Sequence, residues 1–241
     1  MNVIVLMAGP SKDFENRGHV YPKYLLEING EAIIQRVVKS LMPLQADISF
    51  IIRKEDDDKI FFGSTLKILA PTSTIYKVGN ITQGAACTAL FAIDSIDNDD
   101  ELVIINGDQL LTSGISEAVT EFRQKNYDGG VICFRSIHPR WSFVALDENG
   151  LVNQTSEKLP ISDLATAGFY YFKHGKDFVE AAFDNIRKDV NYDGKYYVCS
   201  TFNELILSQK NVGVYEIAKT DYISFSTPQM YDNYINQRKI K

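Results

Sequence analysis

Lys23, Asp108 and the pair Glu157-Lys158 are the charged residues whose settings in the sequence could do chemistry. Ala8-Gly9 closes an unbroken apolar run, Val3 to Met7, and a polar, turn-rich stretch separates it from Pro22-Lys23. A small-residue turn at the carboxyl end of a parallel strand can bring backbone N–H groups close to a phosphate. Lys23 would add a full positive charge beside them. The same residues equally describe a surface loop with a solvated lysine. Asp108 ends the segment Ile105-Asn106-Gly107-Asp108, directly after another apolar run. A carboxylate there points into the crevice where open α/β sheets bind ligands. Magnesium needs only one or two such carboxylates when phosphate oxygens and water complete its shell. By itself, an Asp in this place is also an ordinary turn or N-cap residue. Thr82-Gln83-Gly84-Ala85-Ala86 offers small residues where something must approach closely, or else a plain Thr82 cap.

The elements that must hold these residues follow from the apolar pattern. A run without alternation, such as Val3 to Met7, reads as a strand covered on both faces. Tyr24 to Ile28, Ile48 to Ile52, Leu66 to Leu69, Thr74 to Val78, Glu101 to Ile105, Gly130 to Ser136 and Val212 to Ala218 are further strand candidates. Helices are expected over Glu31 to Met42, from Thr82 through Ile96, over Ser113 to Lys125 with a Ser113 or Ser116 cap, and over Lys176 to Lys188, Thr201 to Ser208 and Gln229 to Arg238. Asp56 to Asp58 are read as a solvated helix start, not as a cation site. Trp141 to Asp147 and Leu151 to Thr155, joined through Asn149-Gly150, form a hairpin signal. With the aromatic run Leu164 to Lys173 they predict a small antiparallel addition at the open side of the sheet. No linker composition interrupts the chain, so one unit over residues 1–241 is expected.

Composition removes several classes of function. The chain has 241 residues, 45% hydrophobic and 23% charged, with a formal net charge of −6. That charge leaves no wide basic surface for nucleic acid, though one basic pocket fits. Three cysteines, far apart, show neither zinc spacing nor a disulfide framework and are read as buried thiols in a reducing compartment. No leader pattern and no apolar run of membrane-spanning length is present, and a soluble, cytoplasmic protein is expected. The three histidines lie in polar places, and no Ser/His/Asp arrangement is readable. Neither a Gly-x-Gly-x-x-Gly nor a Walker sequence occurs.

With these motifs in order, the chain resembles nucleotidyltransferases of the nucleoside-diphosphate-sugar pyrophosphorylase type. In that family the first strand runs into Ala-Gly-x-Gly-(Ser/Thr)-Arg, and a Pro-Lys follows. Ala8-Gly9, Phe14, Gly18 and Pro22-Lys23 match. The resemblance resumes at Gln83-Gly84-Ala85-Ala86, Ile105-Asn106-Gly107-Asp108, Glu157-Lys158, Ala165 to Tyr170 and Phe202 to Ile206. Ser226-Thr227-Pro228 stands where the family has Gly-Thr-Pro. The departures are Ser11, Lys12 and Asp13, in place of the second glycine, the hydroxyl residue and the arginine.

The resemblance implies a Rossmann-like sheet of the glycosyltransferase A type, mixed but mostly parallel and flanked by helices. It implies a nucleoside triphosphate and a phosphorylated sugar or similar headgroup as partners, and magnesium as cofactor. Ala8, Gly9, Pro10, Ser11, Lys12 and Asn106 would surround the nucleotide, with Gln83 and Gly84 reading the base. Lys23 would neutralise the α-phosphoryl charge, and Asp108 would hold the metal. Glu157, Lys158 and Gly168 would face the acceptor, Lys158 meeting its phosphate. The resemblance leaves two questions at the departures. Asp13 would oppose the β- and γ-phosphates if the loop keeps the family's path, unless it shares a cation. Ser224 stands where many members carry a second carboxylate, with Asp221 close by in sequence.

Overall fold

The structure, a computed structural model, describes residues 1–239; Ile240 and Lys241, the end of the expected single unit, lie outside the described residues. A nine-stranded sheet forms its centre. Its strands are β1 (Asn2–Met7), β2 (Asp47–Arg53), β3 (Thr74–Val78), β4 (Leu102–Asn106), β5 (Gly129–Arg135), β6 (Ser142–Leu146), β7 (Val152–Glu157), β8 (Leu164–Phe172) and β9 (Val212–Glu216). The path runs β7-β6-β8-β4-β1-β2-β3, with β5 paired to β8 and β9 to β5.

β1 lies between β2 and β4, parallel to both, with Val3 opposite Ile48 on one side and Val103 on the other. Val3 to Met7 are all buried, and the reason is visible in the two cores. Val3, Val5 and Met7 pack with Ile33, Ile34, Val37 and Leu41 of the helix Ile33–Leu41. Ile4 and Leu6 face the opposite core, with Ala86, Ala89, Phe178 and Phe202. A strand sandwiched in this way needs an apolar side chain at every position.

β8 joins the expected antiparallel addition to β4, but as an inner strand of the sheet. It sits inside the sheet, antiparallel to β4 along Phe169 to Phe172 and antiparallel to β5 on its other edge. Of the expected antiparallel strands, the β6–β7 hairpin is the part that lies at an end of the sheet. The aromatic run of β8 is buried throughout because it is a central strand. Its register against β5 shifts between Thr166 and Tyr170, which makes a bulge around Gly168.

Several local expectations are corrected. Leu66 to Leu69 belongs to the helix Phe62–Leu69, where Phe62 and Leu66 share one buried face; a short apolar run cannot distinguish strand from helix. Within Tyr24 to Ile28 the strand covers only Glu27–Ile28, after a 3-10 turn over Lys23–Leu25. The helix after Gly84 is Ala85–Ala89, and a 3-10 turn separates it from Ile93–Ile96. The helix Ile115–Gln124 is capped by Gly114, and the Ser113 hydroxyl instead donates to Asp221. Asp56 is buried and takes a forked pair of hydrogen bonds from Arg53, so it is not a solvated charge. Cys87 is only half-buried, whereas Cys133 and Cys199 are buried. Among the described residues no helix is long and apolar enough to cross a membrane.

Candidate active site

The carboxyl ends of β1 and β4 lie side by side, and the turns that leave them form the floor of a cleft. After β1 the chain runs through the short helix Lys12–Glu15, anchored by the buried ring of Phe14, and returns at Pro22. Ser11 is fully buried, and its hydroxyl accepts the backbone N–H of Lys23 at 3.3 Å. This contact closes the loop and fixes where Lys23 starts. The Lys23 ammonium then reaches Asp108 Oδ2 at 2.6 Å, across 85 positions of sequence. Burial works against the charge on Lys23, which is 6% exposed. The Asp108 carboxylate outweighs it, and the ammonium's pKa stands above its ordinary value. Lys23 therefore stays charged at any physiological pH.

Two cavities meet at this ion pair. The first, about 360 Å³, is lined by Ala8, Gly9, Pro10, Lys23, Gly84 and Lys195, among others. The second, about 300 Å³, is lined by Glu157, Lys158, Gly168, Arg140, Trp141 and Tyr222, among others. Ala85, Asn106 and Asp108 border both. An atom held at the junction would be reached from either chamber. This is the arrangement an in-line transfer between two bound molecules requires.

Gln109 holds the wall of the second chamber. It is 2% exposed, and its Nε2 donates to the carbonyls of Ala167 at 2.7 Å and Gly168 at 2.9 Å. Gly168 has φ +62°, and a Cβ there would stand 2.3 Å from Gln109 Oε1 and 2.6 Å from Asn106 Nδ2. Both the backbone and the space demand glycine. Gly168→Ala is expected to lower stability by about 2–4 kcal/mol, from left-handed strain plus overpacking, as urea denaturation would measure. Glu157 accepts the Ser142 hydroxyl, and burial raises its pKa against the pull of that bond and of Lys158. Lys158 places its ammonium over the rings of Tyr192 and Tyr197, 5.6 and 5.8 Å from their centroids.

Most of the expected residues are thus gathered at one cleft, and three are not. Ser11 lies beneath the loop as a structural contact, not in either lining. Lys12 is exposed on its short helix, away from both linings. The Gln83 side chain is exposed and lines neither chamber; its carbonyl instead accepts the N–H of Tyr196 at 2.8 Å. Asp13 is also exposed and outside both linings. Asp13→Arg is therefore expected to change triphosphate affinity by less than about threefold, because exposed charges are strongly screened. Equilibrium titration with and without magnesium would check this, and a larger change would bring Asp13 back to the phosphates. Arg17, a further basic residue of that loop, is paired with Asp232 at 2.7 Å.

Arg140, Trp141, Tyr197, Tyr222, Gln109 and Lys195 also line the cleft, without any signal in the sequence. None of them belongs to a motif. Each arrives from a hairpin shoulder, a helix entry or a crossing strand, and only tertiary contacts reveal it.

The donor set fits a magnesium ion that takes most of its ligands from phosphate and water. Asp108 supplies one carboxylate, and the Asn106 amide and Ser224 hydroxyl line the same chamber. Among the described residues no three acidic, His or Cys side chains gather as a metal cage. Ser224 lies on the strand Tyr222–Ser224, and the next residue, Phe225, donates its N–H to the Asp108 carbonyl at 2.8 Å. The position expected for a second carboxylate is therefore beside Asp108, but it carries a hydroxyl. Asp221 is bound at 3.0 Å to both Thr112 and Ser113 and lines neither chamber.

A family profile described as nucleotidyl transferase matches residues 4–220. A nucleoside-diphosphate-sugar pyrophosphorylase from Vibrio cholerae RC9 superposes with a TM-score of 0.85 at 26% identity, covering 98% of this chain and 100% of that one. Among curated proteins, the bifunctional protein GlmU of Methanocaldococcus jannaschii is 25% identical over 217 residues, 89% of this chain and 49% of that protein. The low-salt glycan biosynthesis nucleotidyltransferase Agl11 of Haloferax volcanii is 24% identical over 215 residues, 86% of this chain and 57% of its own length. The chain thus spans about half the length of the curated relatives it matches.

Proposed function

The chain belongs to the nucleotidyl transferase family, and we propose that it moves a nucleoside monophosphate from an NTP onto a sugar phosphate or similar phosphorylated headgroup. A phosphate oxygen of the acceptor attacks the α-phosphorus, a new P–O–P bond forms, the bond to the β-phosphate oxygen breaks, and pyrophosphate leaves. A phosphate monoester is already ionised near neutral pH, so the protein needs to supply no strong base. Its work is positioning and charge neutralisation.

In this reading Ala8, Gly9, Pro10 and Gly84 bound the nucleotide, and Asn106 stands where nucleotide and acceptor meet. Lys23 faces the phosphoryl group in transfer. Glu157, Lys158 and Gly168 bound the acceptor, with Lys158 as its phosphate partner. Asp108, with Asn106 and Ser224 nearby, would hold magnesium, which neutralises charge on the phosphates when bound. The observation that carries the proposal is the Lys23–Asp108 ion pair at the joint of two separate chambers. The V. cholerae likeness supports sugar-phosphate chemistry, and the likeness to Agl11, a glycan biosynthesis nucleotidyltransferase, supports a role in glycan precursor synthesis; surface polysaccharide as the destination and the cytoplasm as the location are part of the proposal. We also propose that residues 1–241 act as one unit, because the sheet joins strands from both ends of the chain.

A panel of the common NTPs against candidate sugar phosphates, read by pyrophosphate release, tests the function. Release with one pair is the expected result. Tight NTP binding with no release from any pair would support a second reading, a non-catalytic nucleotide- or sugar-phosphate-binding protein. The hydroxyl of Ser224 beside Asp108 is what favours that alternative.

A further inference from the structure

We propose that the acceptor carries a second negatively charged group besides its reacting phosphate, and that Arg140 selects it where the acceptor chamber opens into a larger groove. The inference rests on the functional reading above and narrows the acceptor to an acidic class. A groove of about 1170 Å³ continues the acceptor chamber, and Arg140, Trp141, Tyr222 and Ser224 line both spaces. Arg140 and Lys219 are the only charged residues of its lining, in a chain whose formal net charge is −6. Asp221, two residues on from Lys219, is held by the hydroxyls of Thr112 and Ser113 and does not line the groove. Neither Arg140 nor Lys219 enters an ion pair among the described residues.

Arg140 is held in place by an aromatic cluster. Phe134 stacks on Tyr222 with ring centroids 4.7 Å apart, and Trp141 meets the two rings edge-on at 5.6 and 5.4 Å. The Arg140 guanidinium lies over the Trp141 ring, 5.1 Å from its centroid. A guanidinium on an aromatic face keeps its N–H fork available to a planar anion. Lys158 is held at a different wall, over Tyr192 and Tyr197. The cations therefore follow one another outward: Lys158 borders the chamber and not the groove, Arg140 borders both, and Lys219 borders the groove and not the chamber. The acids of the chamber are engaged elsewhere, Asp108 by Lys23 and Glu157 by the Ser142 hydroxyl. A reacting phosphate beside Asp108 and Lys158 leaves Arg140 without an anion. A second acidic group, pointing out past Trp141, supplies one. Either a carboxylate or a second phosphate can take the guanidinium through two parallel hydrogen bonds.

Matched acceptors that differ in one acidic group test this. The carboxylate pairs are the anomeric phosphates of glucose and glucuronic acid, and glycerol phosphate with phosphoglycerate. The phosphate pair is glucose monophosphate with glucose bisphosphate. The full chain is assayed by pyrophosphate release with each common NTP and magnesium. In at least one pair the acidic member should show a kcat/KM about tenfold or more above its neutral partner. Arg140→Gln should lower that ratio about tenfold, chiefly through KM, and Arg140→Lys should recover part of it. The ratio is the readout because a merely structural role would slow both members of a pair alike. Preference within a carboxylate pair or within the phosphate pair identifies the second anion. Neutral members equal or better in every pair that turns over overturn the proposal, and so does a ratio that Arg140→Gln leaves unchanged. No release from any acceptor with any NTP overturns the functional reading itself, and this inference with it.

Discussion

Asp108→Asn should lower turnover by at least about a hundredfold, comparable to losing one strong electrostatic contact in a transition state. The amide keeps the shape of the side chain and an oxygen for Lys23, so the variant should remain folded. It removes the one carboxylate that borders both chambers. From the resemblance alone, nucleotide binding without metal should change little. The ion pair changes that expectation. Asp108 holds the Lys23 ammonium at 2.6 Å and presents negative charge to an incoming triphosphate. With the carboxylate neutralised, metal-free NTP binding should tighten by a few-fold, while magnesium-dependent tightening disappears. NTP titrations in chelator and in magnesium, alongside pyrophosphate release, would measure all three quantities. An Asp108→Asn protein with normal turnover would place the metal elsewhere.

Lys23→Met gives the complementary loss. Methionine replaces most of the buried stem without the charge, so the packing against the loop should survive. Turnover should fall by about two to three orders of magnitude, because the charge developing on the transferred phosphoryl group loses its counter-ion. The metal response should move the opposite way from that of Asp108→Asn. In the wild type the ammonium competes with a cation for Asp108; without it, the carboxylate is free. Manganese alone, titrated calorimetrically as a probe of the magnesium site, should bind Lys23→Met more tightly than wild type. Weaker manganese binding in Lys23→Met would show that Lys23 supports the metal site and does not compete with it. The two variants together separate a residue that holds the metal from one that holds the phosphate.

Much of the parallel half of the sheet was readable from the residues. β1, β2 and β4 appear where their apolar runs predict them, because strands covered on both faces keep a near-continuous apolar stretch, and β3, partly exposed at the end of the sheet, also forms over Thr74–Val78. The Asn149-Gly150 hairpin was likewise local, since turn chemistry fixes it within a few residues. β8 was visible as a strand but not as a central one. Its neighbours on both edges come from distant parts of the chain, and a buried aromatic run looks the same at either place. Phe62–Leu69 shows the opposite limit: too short for its period to decide, it took its helical form from packing.

The site divides in the same way. Ala8-Gly9, Asp108 and Gly84 were legible because strand ends and sharp bends require particular residue types at particular positions. Gly168 was legible through the resemblance, and the structure adds the cause, a left-handed bulge pressed against Gln109 and Asn106. The resemblance gives Ser11 and Gln83 to the nucleotide, yet neither lines a chamber, because a motif names a residue but not the direction of its side chain. Ser11 turned inward to hold Lys23, and Gln83 lends its carbonyl to Tyr196 while its amide stays exposed. The Lys23–Asp108 contact and the Arg140-Trp141 wall were decided by tertiary structure alone. Each depends on which segments the folded sheet brings face to face, and no local pattern carries a contact made across 85 positions.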